Sequence, residues 1–383
     1  MAYFRDTWIE VNLDAIFHNV SGLKRHYAKD GGLIAVVKAD AYGHGAVMVA
    51  KTAIEAGANM LAVATLDEAL ELRANEIDAP ILVFGFVRPT DLTRAAENRI
   101  TVTAFSLDWV KHALTTPMEE VLEVHLKVDT GMNRLGIVDE QDFLVAYRLL
   151  KNARMLRLTG IYTHLASADE KNPDYYLHQF DLFKSRLAMI DTNGLCIHFD
   201  NSSSTLSYPE NHLFSIRPGI TLYGMSPASH MSLKFPLRPA LSLYSTLVQV
   251  KQVPPKSPIS YNGLYLTSDW EWIGTIPIGY ADGWDRRMKE GVVWLDGREV
   301  PIVGRICMDY CMVVLPREYP VGTIVELIGP HITVEDVATR IGTNNYQTTC
   351  ALSDRLVRVY KRNGKTIEII NRRLHSGSKE RGK

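Results

Sequence analysis

The stretch Ile34–Gly45, I-A-V-V-K-A-D-A-Y-G-H-G, leaves a lone lysine at the end of a short β-branched run, directly before a cluster of small residues. An ammonium at the end of a buried strand is partly desolvated, which lowers its pKa toward nucleophilic competence. Lys38 is therefore a candidate reactive amine, and Gly43 and Gly45 allow backbone to approach a ligand closely. The same residues also permit a plain Lys38–Asp40 pair at a strand end. Two later segments bear on the choice. D-N-S-S-S at 200–204 and R-P-G-I at 217–220 offer backbone N–H groups and short hydroxyls of the kind that hold a phosphate. The serines alone would also suit a surface turn, and the glycine two residues after Arg217 strengthens the phosphate reading. A reactive amine opposite a phosphate pocket suggests pyridoxal phosphate, held as a Schiff base on Lys38.

These groups need a scaffold that turns them toward one place. Strand-like runs at Ile34–Lys38, Leu61–Thr65, Ile81–Gly85, Thr101–Phe105, Val121–Asp129, Leu158–His164, Cys196–Asp200 and Phe214–Arg217 alternate with helix-length segments such as Asp14–Tyr27, Ala46–Gly57 and Tyr175–Thr192. Eight strands alternating with helices predict an α/β fold, a (β/α)8 TIM-type barrel, whose reactive groups sit at the C-terminal strand ends. The residues found there are Lys38, Asp129, His164, Asn201 and Arg217. An open doubly wound sheet is the alternative architecture. Near Pro236–Pro239 the alternation stops, and short strands take over at Leu243–Val253, Trp272–Ile278, Gly291–Leu295, Val300–Ile306, Cys311–Leu315 and Thr323–Ile328. The expectation is a barrel over residues 1–238 and a mostly β C-terminal domain over 239–383.

Composition narrows the class. A net charge of -1 over 383 residues gives no electrostatic reason to bind nucleic acid, and the basic residues after Asn371 look like a solvated terminus. No apolar signal segment and no run near the ~18 apolar residues of a membrane span is visible, so a cytoplasmic protein is expected. Cys196, Cys307, Cys311 and Cys350 form no C-x-x-C pair, which argues for reduced thiols and against a metal site.

Further motifs extend over nearly the whole chain: V-K-A-D-A-Y-G-H-G, L-K-V-D-T-G-M-N-R-L-G, T-H-L-A-S-A-D, D-N-S, R-P-G-I, S-Y-N-G, I-P-I-G-Y-A-D-G, G-R-I-C-M-D and the N-Y at 345–346. In this order they resemble the alanine racemase family. The resemblance implies a pyridoxal 5'-phosphate barrel followed by a β domain, interconverting L-alanine and D-alanine as a homodimer with shared active sites. It assigns Lys38 to the cofactor and matches Tyr42, Ser202, Gly219, Ile220 and Tyr346 to positions that hold the phosphate. Arg217 matches the partner of the pyridine nitrogen, His164 the residue beside the ring, and Arg134 the group near the phenolic oxygen and the substrate carboxylate. Tyr261 matches the second catalytic base, and Met308 the backbone donor to the carboxylate.

The chemistry explains these residue types. Racemisation removes the α-proton from one face and returns one to the other, so two bases are needed on opposite faces of a planar intermediate. Lys38 and Tyr261 would be that pair. Their unperturbed pKa values lie near ~10.4 and ~10, and burial lowers a lysine but raises a tyrosine. The tyrosine therefore needs a nearby cation or hydrogen-bond donor, for which His164 and Arg217 are candidates. Arg217 is donor-only, so a pyridine nitrogen facing it must be an unprotonated acceptor, and the ring a weaker electron sink.

Two positions stand out. Asn262 follows Tyr261 where the family more commonly has glycine. Lys127 matches a lysine that is carbamylated in relatives; the plain alternative is a Lys127–Asp129 pair. Competing readings are a broader racemase acting also on serine, a pyridoxal phosphate decarboxylase of the same architecture, a non-catalytic cofactor-binding protein, and a Schiff-base aldolase. The Arg217 match disfavours the decarboxylase, which benefits from a carboxylate at that position.

Overall fold

The structure is a computed structural model and describes residues 3–28, 31–209, 215–228 and 230–375. Phe214, the expected start of the last barrel strand, and the basic tail beyond 375 lie outside the described residues. The chain forms two compact units, one of Ala15–Ala41 with Ala46–Pro239 and one of Met1–Asp14 with Tyr42–Gly45 and Ala240–Lys383.

The first strand, β1 (Thr7–Asn12), belongs to the second of these units. The other unit contains eight parallel strands: β2 (Ile34–Val36), β3 (Met60–Val63), β4 (Ile81–Val83), β5 (Ile100–Ala104), β6 (Leu122–Lys127), β7 (Leu156–Tyr162), β8 (Cys196–Asp200) and β9 (Ser215–Ile216). Each pairs with the next in sequence order, and a parallel bridge between Leu33 and Ile216 closes the sheet. The Val36 N–H to Pro218 carbonyl bond, at 3.1 Å, adds to the closure. This is the expected barrel and not an open sheet. Short all-apolar strands such as I-A-V and I-L-V are buried throughout, as strands covered on both faces must be.

Most strands end two residues earlier than the apolar runs suggest. Lys38, Thr65, Gly85, Asp129 and His164 lie past the ladder. Each lies beyond the regular pairing of its strand, although the Gly85 N–H still bonds the Ala64 carbonyl at 3.1 Å and the Asp129 N–H the Ile137 carbonyl at 3.0 Å. Helix starts are fixed by side chains in the same places. Thr65 and Glu68 form a reciprocal cap on the helix Leu66–Ala74, and Asn201 and Ser204 do so for Ser202–Ser207.

The second unit is built on one ten-stranded sheet. Its strands are β1, β10 (Leu241–Thr246), β11 (Gln249–Val253), β14 (Glu271–Ile276), β15 (Val292–Leu295), β16 (Arg298–Val303), β17 (Cys311–Leu315), β18 (Ile324–Ile328), β19 (Val357–Arg362) and β20 (Lys365–Ile370). A separate two-stranded ribbon pairs β12 (Pro258–Ile259) with β13 (Tyr265–Leu266). The run expected as one strand over Leu243–Val253 is two, β10 and β11. β1 runs antiparallel to β10 and parallel to β19, so the N-terminal residues join this sheet. Among the described residues no helix is long and apolar enough to cross a membrane.

Candidate active site

Lys38 is half-buried just beyond β2. After it the backbone does something that no residue type announces: Ala39, Asp40 and Ala41 adopt φ/ψ of 50/52, 53/45 and 52/50, and Tyr42 follows at φ 54. This is a single left-handed helical turn of L-residues, each at a cost of roughly 1–2 kcal/mol. The Ala41 N–H bonds the Val37 carbonyl at 2.9 Å, and Asp40 Oδ1 accepts the Ala46 N–H at 2.9 Å. Asp40 is thus used to hold the turn. Gly43 and Gly45 continue at φ 85 and 97. A Cβ at Gly43 would collide with the Thr349 carbonyl, and one at Gly45 with the Tyr360 hydroxyl, so close packing requires both glycines.

β9 adjoins β2 in the closed barrel and is followed directly by Arg217, which is almost fully buried. Its Nη2 donates to the carbonyls of Thr163 (2.9 Å) and Phe199 (3.0 Å) and lies 3.4 Å from His164 Nδ1. Its Nη1 lies 3.0 Å from His198 Nδ1. Because a guanidinium only donates, His198 must carry its proton on Nε2, which points at His125 Nδ1 at 2.9 Å. His125 in turn must be protonated on its own Nε2. Burial, and then the charge of Arg217, push His125 down to about 3 and His198 well below the usual histidine range. Both rings are therefore neutral. Burial also lowers Arg217 to about 10, opposed by Tyr162 and Asp200.

Tyr162 stacks on His198 (centroids 4.7 Å apart) and lies under the guanidinium at 5.4 Å. Thr103 donates to the Val83 carbonyl at 2.7 Å, so in the 2.8 Å contact between the two hydroxyls Tyr162 is the donor. A Cβ on Gly160 would collide with the His125 ring. His125, His198, Tyr162 and Thr103 were not among the candidates read from sequence. The signal available was alternation: L-E-V-H-L-K and C-I-H-F-D place a polar residue at every second position of strands that should be apolar on both faces.

His164 is held neutral by burial, with Arg217, Arg134, Lys127 and Lys38 all disfavouring its charge. With Nδ1 facing Arg217, Nε2 carries the proton. His164 can therefore assist a tyrosine only as a hydrogen-bond donor and not as a cation.

Lys127 ends β6, buried, with its Nζ 5.5 Å from the centre of the Tyr162 ring. Burial lowers its pKa to about 8, reinforced by Arg134, Arg217 and Lys38 and opposed by Asp129. Asp129 also has other work: its Oδ1 accepts the N–H groups of Gly131 (2.9 Å) and Asn133 (3.0 Å). Those bonds fold the turn that presents Arg134, which is exposed.

The two loops read as a phosphate pocket do meet. The buried Ser202 accepts the Gly219 N–H on Oγ at 2.8 Å and contacts Thr221 Oγ1 at 3.2 Å, and Ile220 follows in a buried 3-10 turn. In the other unit Tyr42 and Tyr346 face each other with centroids 6.0 Å apart. Burial, then Tyr346 and Cys350, raise the Tyr42 hydroxyl's pKa, keeping it a neutral donor.

Tyr261 and Met308 sit on exposed turns of that same unit, with relative exposures of 69% and 52%. Tyr261 lies between Ser260 at φ 65 and Asn262 at φ 62, ψ 9. Asn262 thus adopts the left-handed conformation a glycine would supply, and asparagine tolerates it best among the other residues. Ser260 Oγ is pinned to the Arg305 carbonyl at 2.7 Å. The Cys307 and Met308 carbonyls accept the N–H groups of Tyr280 (3.0 Å) and Ala281 (3.1 Å), zipping I-P-I-G-Y-A-D-G against G-R-I-C-M-D.

Comparison with known proteins fits this arrangement. The family model "Alanine racemase, N-terminal domain" matches residues 11–227, and "Alanine racemase, C-terminal domain" matches 240–360. The chain belongs to the alanine racemase family. It is 46% identical over 379 residues to an alanine racemase of Anoxybacillus flavithermus, covering 97% of this chain and 98% of that one. Among solved structures it is similar to alanine racemase from Bacillus anthracis with bound L-Ala-P, at 43% identity and TM-score 0.92, covering 97% and 99% of the two chains. It is also similar to a histidine racemase from Leuconostoc mesenteroides, at 32% identity and TM-score 0.89, covering 94% and 99%.

Proposed function

We propose that this chain interconverts L-alanine and D-alanine with pyridoxal 5'-phosphate, using Lys38 and Tyr261 as bases on opposite faces of the substrate carbon. The observation that carries the reading is Arg217, a buried donor-only group at the end of β9, beside the strand that presents Lys38. The residues suit the cofactor: a half-buried amine for its aldehyde carbon, a guanidinium for its ring nitrogen, and the Ser202–Gly219–Ile220 corner for its phosphate, to which the resemblance adds Tyr42 and Tyr346. When bound, the cofactor supplies a sink for the electron pair left behind by the α-proton.

The chain's own groups do the rest. Lys38 takes or returns the proton on one face and Tyr261 on the other. Arg217 would keep the ring nitrogen an acceptor, limiting the sink and side reactions such as transamination. His164 would be the residue beside the ring, and Arg134 with the Met308 N–H would bind the carboxylate. Loss of optical activity across a panel of amino acids tests the assignment: alanine should turn over fastest. The similarity to a histidine racemase favours a second reading, a broader specificity, and serine or a larger amino acid matching alanine would establish it.

The reading includes a cytoplasmic homodimer. Tyr261, Leu264, Leu266, Tyr280, Met308 and Tyr310 are all substantially exposed in one unit, and exposed apolar residues grouped with a catalytic candidate suggest a surface that a second copy covers. Lys38→Ala and Tyr261→Phe subunits, each inactive, should regain up to about a quarter of parent activity per site when mixed at equal amounts and allowed to exchange, since random pairing makes half the dimers mixed and half their sites intact. A verified heterodimer without turnover would mean each chain uses its own tyrosine.

Lys127 carries a further expectation. An amine lowered to about 8 is partly neutral near physiological pH, and only the neutral form attacks carbon dioxide, forming a carbamate N–C bond and releasing a proton. The product is an anion among Arg134, Arg217 and Lys38, which relieves the repulsion that lowers the amine's pKa. Carbon-13 NMR with labelled bicarbonate should show one carbamate signal per chain, increasing from pH 7 to 9 and absent in Lys127→Ala. A signal that persists in the variant would place the modification elsewhere.

A further inference from the structure

The strained turn after Lys38 is held at its start by a residue outside every motif. Glu68 lies in the first turn of the helix Leu66–Ala74, which follows β3. Its Oε1 accepts the Ala39 N–H at 2.7 Å. Its Oε2 accepts the N–H groups of Ala64 at 2.7 Å and Thr65 at 3.2 Å. One carboxylate thus ties the end of β2 to the end of its neighbour β3. On the other side of Lys38, the Val37 N–H bonds the Ala62 carbonyl at 2.9 Å. Lys38 therefore lies, with Val37, between two fixed peptide groups, one fixed by the sheet and one by Glu68.

The physics makes that second anchor necessary. The opening N–H of a helical turn has no partner inside the turn, whatever its hand. Three non-glycine residues at φ 50, 53 and 52 have no intrinsic preference for that conformation, so bonds from outside must select it. An ionised carboxylate is acceptor-only and takes several N–H groups at once. An amide side chain in its place would turn its own N–H groups toward donors.

We propose that Glu68 is a positioning residue for Lys38: by capping the left-handed turn it fixes where the amine leaves the barrel rim. This inference rests on the reading of Lys38 as the cofactor-bearing amine and base. Without the cap the turn relaxes toward ordinary backbone and the amine shifts, and a misplacement near 1 Å is worth about 10²-fold in rate.

The experiment compares Glu68→Ala and Glu68→Gln with Thr65→Ala in the holoenzyme. Thr65→Ala removes the other half of the helix cap, the Glu68 N–H to Thr65 Oγ1 bond at 3.2 Å, and leaves Ala39 untouched. Glu68→Ala should lower kcat by about 10- to 100-fold, leave KM for alanine within about threefold, and weaken pyridoxal phosphate binding at least about tenfold, read as a dissociation constant by dialysis. Glu68→Gln should fall between parent and alanine variant. Thr65→Ala should lower the melting temperature as a lost cap does while keeping the parent kcat and cofactor affinity.

Glu68 variants with parent kcat and cofactor affinity would overturn the inference, as would a Thr65→Ala enzyme losing both in proportion to its stability. Should Glu68→Ala not fold, Glu68→Gln decides by the same measures. Borohydride reduction of the parent followed by peptide mapping separates the two ideas. A cofactor found on another lysine removes the reading of Lys38 and this inference with it; a cofactor on Lys38 with unaffected Glu68 variants removes the inference alone.

Discussion

Replacing Lys38 with alanine should abolish both the absorbance of a lysine-bound cofactor and racemisation, with turnover reduced at least ~10⁴-fold. On the proposed reading one amine does two things, anchoring the cofactor and moving a proton, so neither survives its removal. The fold should tolerate the change. Lys38 is half-buried and adds to the positive field that disfavours the charged forms of Lys127 and His164, so its loss removes repulsion. Where it is not carbamylated, Lys127 should accordingly titrate above about 8 in the variant. A melting temperature within a few degrees of the parent would show that activity was lost through chemistry, and a small primary amine added at high concentration should restore part of it. Unchanged absorbance and near-normal turnover would remove Lys38 from the mechanism.

How much of this was visible beforehand differs by level. The barrel was legible because strand and helix alternate with clear periodicity, and the strand-end residues Lys38, His164 and Arg217 could be read from it because the C-terminal rim of a parallel barrel is where strands stop. The strand ends themselves were not, since single N–H bonds such as Val37 to Ala62 continue past the regular pairing and the residue types do not mark where it stops. The left-handed turn at Ala39–Tyr42 was hidden for a related reason. Alanine is the best helix former in the ordinary hand, and nothing local in A-D-A-Y predicts φ near 50; the conformation is imposed by Glu68, Asp40 and close packing on Gly43 and Gly45.

The chain of histidines was legible in part. Polar residues at every second position of β6 and β8 announced an inward polar face, but only the fold shows that His125 and His198 stand one behind the other. Their tautomers follow from Arg217, because a donor-only group at one end fixes the direction of each bond in the chain. Protons there are committed, which suits a guanidinium that keeps its own charge and, on the proposed reading, leaves its partner's nitrogen unprotonated.

Tyr261→Phe should produce the most specific change, a loss that depends on which enantiomer is offered. The substitution removes one hydroxyl from a residue 69% exposed, so the fold should be unaffected to within ~0.5 kcal/mol. Racemisation should fall about 10³- to 10⁴-fold, the contribution of one general acid or base. Lys38 remains able to remove and return the proton on its own face, so one enantiomer should exchange its α-hydrogen with solvent while keeping its configuration. The family resemblance gives Lys38 the D-enantiomer and Tyr261 the L-enantiomer, so in heavy water the variant should incorporate deuterium into D-alanine much faster than into L-alanine. Exchange confined to L-alanine would reverse the two faces. Equal residual exchange from both would point to one base that reaches either side, and a double role for Lys38 would then replace the pair.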